Sequence, residues 1–219
     1  MNCENQKFMV DTAKRLIQNG LSAWEIKERL VALYGREIVD RFWGLPRDNI
    51  NQFVKECLAG PGIQPPFLEI GCGGRSFKPE AETRFGKDVV YLALDHFYPE
   101  DGKQTSRLPN LIGDALALPI RSGSVNTVIC AEVLEHLPDD CFALEEIWRV
   151  LDFCGQLVLT VPGMDIPRHE KLPYQLDFRR YTMDSLKGLL KEGGFDEIIM
   201  EEKRFGDLQI NILLKCKKK

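Results

Sequence analysis

The sequence predicts an α/β fold: a mostly parallel sheet with helices on both faces, a helical extension before it and an antiparallel strand pair at the end. Three observations carry this. From residue 67 onward, short apolar runs alternate with helical patterns. The first run, Phe67-Leu68-Glu69-Ile70, passes straight into a glycine turn, Gly71-Cys72-Gly73-Gly74. Two strand-like runs near the C-terminus, Phe195 to Glu202 and Leu208 to Cys216, are separated only by Lys203 to Asp207, a hairpin spacing.

Composition sets the outer limits. The chain has 219 residues, 44% of them hydrophobic and 28% charged, enough for a full core and too apolar for wholesale disorder. A net charge of −4 gives no electrostatic reason to expect a nucleic-acid partner. The basic cluster Lys215, Lys217, Lys218 and Lys219 reads as a solvated tail, with an anionic-surface patch as the alternative. The seven cysteines are odd in number and form no C-x-x-C pair, so neither a disulfide framework nor a metal site is expected. Thiols in apolar runs act as small hydrophobes and suggest a reducing, cytoplasmic setting. The N-terminus lacks the pattern of a signal peptide, and no apolar stretch is long enough for stable membrane insertion. Oligomeric state is left open.

Residues 1–62 are expected to form the helical extension and 63–219 the main domain. In the extension, Phe8, Met9, Ala13, Leu16 and Ile17 recur at helical spacing up to Gly20. Ser22 and Glu25 form a capping-box pattern ahead of Ile26, Leu30 and Leu33, and Gly35 ends that helix. A short segment with Ile38, Phe42 and Trp43 leads to Gly44-Leu45-Pro46, and a last helix runs from about Arg47 to Leu58. Ala59-Gly60-Pro61-Gly62 is the breaker that marks the seam. The extension has two readings: packing against the sheet, or a lid over a substrate pocket.

Pro65-Pro66 open the first strand, whose glycine turn removes side chains that would keep a nucleotide-like ligand off the backbone. A short helix is expected over about Pro79 to Phe85, then a strand over Val89 to Leu94 that ends on Asp95. An acid there can accept hydrogen bonds from a ribose diol, or simply cap a turn. A polar loop from His96 to Pro109 precedes a very short strand, Leu111-Ile112, and Gly113-Asp114-Ala115. Asp114 can bind an exocyclic adenine amine or make an Asx-turn. Arg121 to Ser124 is a turn, and Val125 to Cys130 is a β-branched, apolar strand. The helix after it carries Phe142, Leu144, Ile147, Trp148, Val150 and Leu151 on its apolar side, with Asp139 or Asp140 as the cap. Phe153-Cys154-Gly155 turns the chain into a strand from Gln156 to Pro162. An irregular segment from Gly163 to Tyr181 and a helix from Met183 to Lys191 complete the pattern before the hairpin.

Four of these stretches, in order, resemble one family. Glu69-Ile70-Gly71-Cys72-Gly73 is similar to the E/D-x-G-x-G signature of class I S-adenosylmethionine-dependent methyltransferases. Leu94-Asp95, Gly113-Asp114-Ala115 and Cys130-Ala131-Glu132-Val133-Leu134-Glu135-His136-Leu137 continue the match, and Asp177-Phe178-Arg179-Arg180-Tyr181-Thr182 looks like its later loop. The resemblance spans about Phe67 to Phe195 and is nearest the type 11, ubiquinone/menaquinone-biosynthesis-like branch. It implies a Rossmann-like seven-stranded sheet that binds S-adenosylmethionine and releases S-adenosylhomocysteine. It implies that the backbone at Gly71, Cys72 and Gly73 approaches the methionine moiety and that Glu69 orients its ammonium group, directly or through water. Asp95 then holds the ribose hydroxyls, with His96 in the same cofactor-binding set, Asp114 and Ala115 meet the adenine, and Ala131, Glu132 and Val133 line the cofactor. One departure stands out: Arg75-Ser76-Phe77-Lys78-Pro79 delays the helix that the family usually starts directly after the turn.

The resemblance implies transfer to a small-molecule or lipid-like acceptor. The candidate catalytic residues are His136, at the pocket mouth, and His169 and Tyr174, in the loop after the fifth strand. Arg179 and Arg180 can bind an anionic substrate group or anchor their loop to Asp177 or Glu170. No D/N-P-P-Y/F run follows the fourth strand, which argues against an amino-methylase of DNA or RNA. Two alternatives remain: a non-catalytic subunit that binds the cofactor, and a nicotinamide-dependent oxidoreductase, although Ser76 stands where G-x-G-x-x-G/A has glycine or alanine.

Overall fold

A computed structural model describes residues 3–74, 76–97, 108–168 and 176–219. Seven strands, β1 (Phe67–Ile70), β2 (Tyr91–Asp95), β3 (Leu111–Ile112), β4 (Val125–Ala131), β5 (Leu151–Pro162), β6 (Phe195–Phe205) and β7 (Leu208–Lys218), form one sheet. Their order is β3-β2-β1-β4-β5-β7-β6. Strands β1 to β5 pair in parallel, and β7 lies antiparallel between β5 and β6. The chain builds outward from β1 to β3 and then crosses to β4 on the other side. Connections therefore diverge between β1 and β4, the switch point at whose carboxyl ends open α/β sheets take their ligands.

Successive side chains of a strand point to opposite faces, and the sheet uses both. Leu68, Val128, Cys130, Leu157 and Leu159 face one layer, formed by α5 (Asp140–Val150) and α6 (Met183–Glu192). Phe67, Ile129, Val158 and Leu213 face the other, formed by α3 (Arg36–Ala59) and α4 (Lys78–Phe85). A third cluster joins α1 (Cys3–Gln18), α2 (Ala23–Tyr34) and Val39 to Leu208 and Ile210 of β7. The extension thus packs on the sheet: Ile50, Val54, Cys57 and Leu58 of α3 are buried against β1, β4, β5 and β7.

Several expectations change. Gly44-Leu45-Pro46 does not break the helix, because α3 runs unbroken over 24 residues with Pro46 inside it. Proline removes one ladder bond, and the buried residues flanking it, Val39 and Ile50, keep the helix seated. Phe142 and Trp148 are exposed, and Ala143, Leu144, Ile147 and Val150 make the buried side of α5. The Phe153-Cys154-Gly155 turn is part of β5, which starts at Leu151 and carries Cys154 at φ +59° beside a register shift against β4. Asp139 is the α5 cap. The lysine tail is the last strand: Lys217 pairs with Glu197 at 2.6 Å, and Lys218 donates to Leu151 O at 2.7 Å while lying 3.8 Å over the Trp148 ring.

Candidate active site

At the carboxyl edge of the sheet, β1 ends and the chain reverses through Gly71 (φ +70°) and Gly73 (φ +53°). The two glycines serve different ends. A Cβ at Gly71 would stand 2.3 Å from Val133 Cγ2, so this position is set by packing against the segment after β4. A Cβ at Gly73 would meet nothing within 4 Å, so here the backbone faces open space that a ligand can fill. The N–H groups of Gly71 and Cys72 both donate to Leu94 O, at 2.9 and 3.2 Å. Gly73 N donates to Asp95 Oδ2 at 2.7 Å, and His96 N to Asp95 Oδ1 at 2.8 Å. The Asp95 carboxylate therefore stands beside the glycine turn. His96 is exposed, its ring edge-on to Phe97 and its Nδ1 3.3 Å from Asp95 Oδ1.

Asp114 follows β3 on the same edge. Its Oδ1 accepts from Leu116 N at 2.9 Å, the Asx-turn, and the residue is exposed while Ala115 is buried in the core. Glu69 is placed differently from these. It is 3% exposed, and its carboxylate accepts from Ser76 Oγ at 2.5 Å, Tyr91 Oη at 2.8 Å and Phe77 N at 3.1 Å. It pins the irregular segment after the turn against β1 and β2. Burial pushes its carboxyl up to about 7 against the pull of those donors.

The other wall follows β4. Ala131 ends that strand, and Glu132 is held at φ +55°, an uncommon conformation for a side-chain-bearing residue. Glu132 N donates to Thr160 O at 3.0 Å, and its Oε1 accepts from Thr160 Oγ1 at 2.9 Å. A single 3₁₀ turn, Leu134–His136, then presents His136. His136 Nδ1 lies 2.9 Å from Asp177 Oδ1 and 3.3 Å from Leu176 O, and its Nε2 lies 3.6 Å from Glu135 Oε1. Two acceptors face Nδ1, and they fix the orientation of the ring. Asp177 is anchored in turn by Arg180 at 2.5 Å.

Residues 68–159 match a family described as a methyltransferase domain. A probable S-adenosylmethionine-dependent methyltransferase of Mycobacterium tuberculosis is 27% identical over 166 residues, covering 68% of this chain and 56% of the relative. The mouse tRNA (carboxymethyluridine(34)-5-O)-methyltransferase is 26% identical over 170 residues, covering 74% of this chain and 24% of its own. The chain thus spans about half or less of these relatives. Among solved structures, a possible histamine N-methyltransferase of Thermotoga maritima superposes with a TM-score of 0.55 at 17% identity, covering 90% of this chain and 99% of that one. The matched segment resembles a methyltransferase domain and holds the glycine turn, Asp95, Asp114 and His136.

Within the matched segment, the wall after β4 is rich in acidic groups. Burial pushes Glu132 up to about 7, and Thr160, Arg47, Arg180 and His136 pull it back. Burial, and then the charge of Glu132, push Glu135 well above the usual carboxylate range. Glu135 is 2% exposed, and its Oε2 is buried without a hydrogen-bond partner among the described residues. Arg179 and Arg180 anchor the loop: Arg179 pairs with Asp140 at 2.7 Å, and Arg180 donates to Asp177 and to Ile166 O and Pro167 O. His169 and Tyr174 lie outside the described residues. Sequence reasoning missed Arg47 and Thr160. Thr160 sits inside an apolar strand, where a hydroxyl one residue before the strand's last turnward pair is a weak signal, and no local pattern links Arg47 to a glutamate 85 positions later.

Proposed function

We propose that this chain transfers a methyl group from S-adenosylmethionine to a small-molecule acceptor. The observation that carries the reading is the shared edge: the open side of Gly73, the Asp95 carboxylate beside it and exposed Asp114 follow β1, β2 and β3 in turn. That donor set fits the cofactor. Gly71 to Gly73 receive the methionine part, Asp95 the ribose and Asp114 the adenine. Glu69 acts one step back, by fixing the Ser76-Phe77 segment that supports the turn. Ala131, Glu132 and Val133 form the far wall.

When bound, the cofactor supplies a methyl carbon already activated by a sulfonium. The protein's own part is positioning and proton handling. His136, oriented through Nδ1 by Asp177, offers Nε2 to an acceptor that must lose a proton; a thiol or neutral amine needs less help. The free thiols of Cys57, Cys72, Cys130 and Cys216, all buried, fit the reducing cytoplasm. No described helix is long and apolar enough to cross a membrane, and the acidic net charge favours a small acceptor over nucleic acid.

The test pairs binding with turnover. S-adenosylhomocysteine should bind one per chain by calorimetry, and label from methyl-tritiated S-adenosylmethionine should enter a metabolite pool. In that assay His136→Ala should lower kcat at least tenfold for a hydroxyl acceptor. An unchanged kcat would remove His136 from the chemistry.

A further inference from the structure

A cavity of about 90 Å³ lies between the N-terminal helices and the segment after β5. Its walls include Ile17 of α1, Ala23 of α2, Trp43 and Pro46 of α3, and Ile166 and Pro167. Its one charged neighbour, Asp165, is engaged with the backbone: Asp165 Oδ2 accepts from Gln209 N at 2.7 Å. The interior is therefore suited to an apolar group and offers little to a polar one.

Two stretches of the cavity wall are tied to the charged cluster after β4. Pro46 lines it, and the next residue, Arg47, acts electrostatically on Glu132. On the opposite wall, the carbonyls of Ile166 and Pro167 accept from Arg180, which holds Asp177, which orients His136. Whatever fills the cavity is thus bounded on two sides by residues adjoining the groups that would handle the acceptor.

We propose that this cavity is the acceptor's side-chain subsite, built by the N-terminal helices, and that it takes a short branched alkyl group on the molecule to be methylated. The size follows from its volume. A dry apolar cavity of about 150 Å³ admits six-carbon benzene, so this one holds roughly four carbons. The inference rests on the methyltransferase reading above and narrows its substrate class: an acceptor with a polar, reactive end at the His136 edge and a compact apolar end under α1 to α3. The extension is then a specificity element for that substrate.

The experiment uses the full chain and a solvent extract of cellular metabolites, with methyl-tritiated S-adenosylmethionine as donor. Two variants fill the cavity from different helices, Ala23→Leu and Ile17→Phe, and S-adenosylhomocysteine affinity by calorimetry controls for folding and for the donor site. We expect the labelled product to carry a branched alkyl group. Each filling variant that keeps wild-type S-adenosylhomocysteine affinity should raise KM for that acceptor at least tenfold, with kcat little changed. A product with no such group, or a KM unmoved by a variant that still binds S-adenosylhomocysteine, overturns the subsite. Failure of the wild-type chain to bind S-adenosylhomocysteine, or binding with no labelled product, overturns the methyltransferase reading and the subsite with it.

Discussion

Gly71 and Gly73 are two positions apart, and their environments predict opposite phenotypes. Gly71→Ala puts a methyl group 2.3 Å from Val133 Cγ2 at φ +70°. Overpacking of that kind costs about 1–3 kcal/mol, so the variant should unfold at visibly lower urea concentration. Gly73→Ala meets no neighbour. It should keep most of its stability, losing about 1–2 kcal/mol to the left-handed backbone, yet bind S-adenosylhomocysteine at least tenfold more weakly. Equal affinity in wild type and Gly73→Ala would show that the open side of the turn is not the ligand side. Glu69 makes a pH prediction. Its carboxyl is raised from 4.5 to about 7. A raised acid contributes stability that is fully present below pH 4.5 and is lost as pH climbs through 7, here roughly 3 kcal/mol in all. Glu69→Gln, which cannot ionise, should flatten the fall in stability between about pH 4.5 and 7; an unaltered slope would place the titration elsewhere. At this scale the sequence was legible where a residue's role is local. Asp95 ends its strand beside the turn and the Asx-turn at Asp114 is present, but the same letters gave no hint that the Glu69 carboxylate would be held by Ser76, Phe77 and Tyr91.

Among the elements, α3 decides how the extension should be understood. The sequence divides the chain near residue 62 because Ala59-Gly60-Pro61-Gly62 is a true breaker, and α3 does end at Ala59. A breaker in the chain need not be a break in the core: Val54 is fully buried in the cluster that contains Phe67 and Ile129. We therefore predict that Val54→Ala costs about 1–3 kcal/mol in chemical denaturation, a methylene-scale share of the penalties for emptying a core site. A chain beginning at residue 63 should fail to give a cooperative transition, since it lacks α3; cooperative folding of that fragment would restore a self-sufficient domain at the seam. Short, strongly patterned elements such as β1, β4 and α6 were readable because their apolar period is set by their own surroundings. Two others were not. Pro46 is a local breaker overruled by flanking burial, and the Lys215 to Lys218 run is polar in letter but alternates with Cys216 in a strand whose lysines find Glu197 and Leu151 O.

Seen whole, the molecule brings together what the chain keeps apart. Arg47, Glu132, His136, Asp177 and Arg180 come from α3, the end of β4 and the loop before α6, and they meet because the sheet order sends those segments to one edge. The same topology separates the present reading from the oxidoreductase alternative. Dinucleotide-binding sheets follow the order 3-2-1-4-5-6, whereas here antiparallel β7 is inserted between β5 and β6. The placement of the turn, Asp95 and Asp114 was legible because each sits at a strand end. The cavity under α1 to α3 was not, because its walls are built by long-range packing of the extension. The central claim is that the edge of β1, β2 and β3 is an S-adenosylmethionine site with Asp95 as its ribose ligand. Calorimetry tests it most directly, titrating S-adenosylhomocysteine and, separately, NAD into the wild-type chain and Asp95→Ala. The account predicts one S-adenosylhomocysteine per wild-type chain, no NAD binding, and a loss of about 1–3 kcal/mol in Asp95→Ala. Tight NAD binding without S-adenosylhomocysteine, or equal S-adenosylhomocysteine affinity in a folded Asp95→Ala, would contradict it.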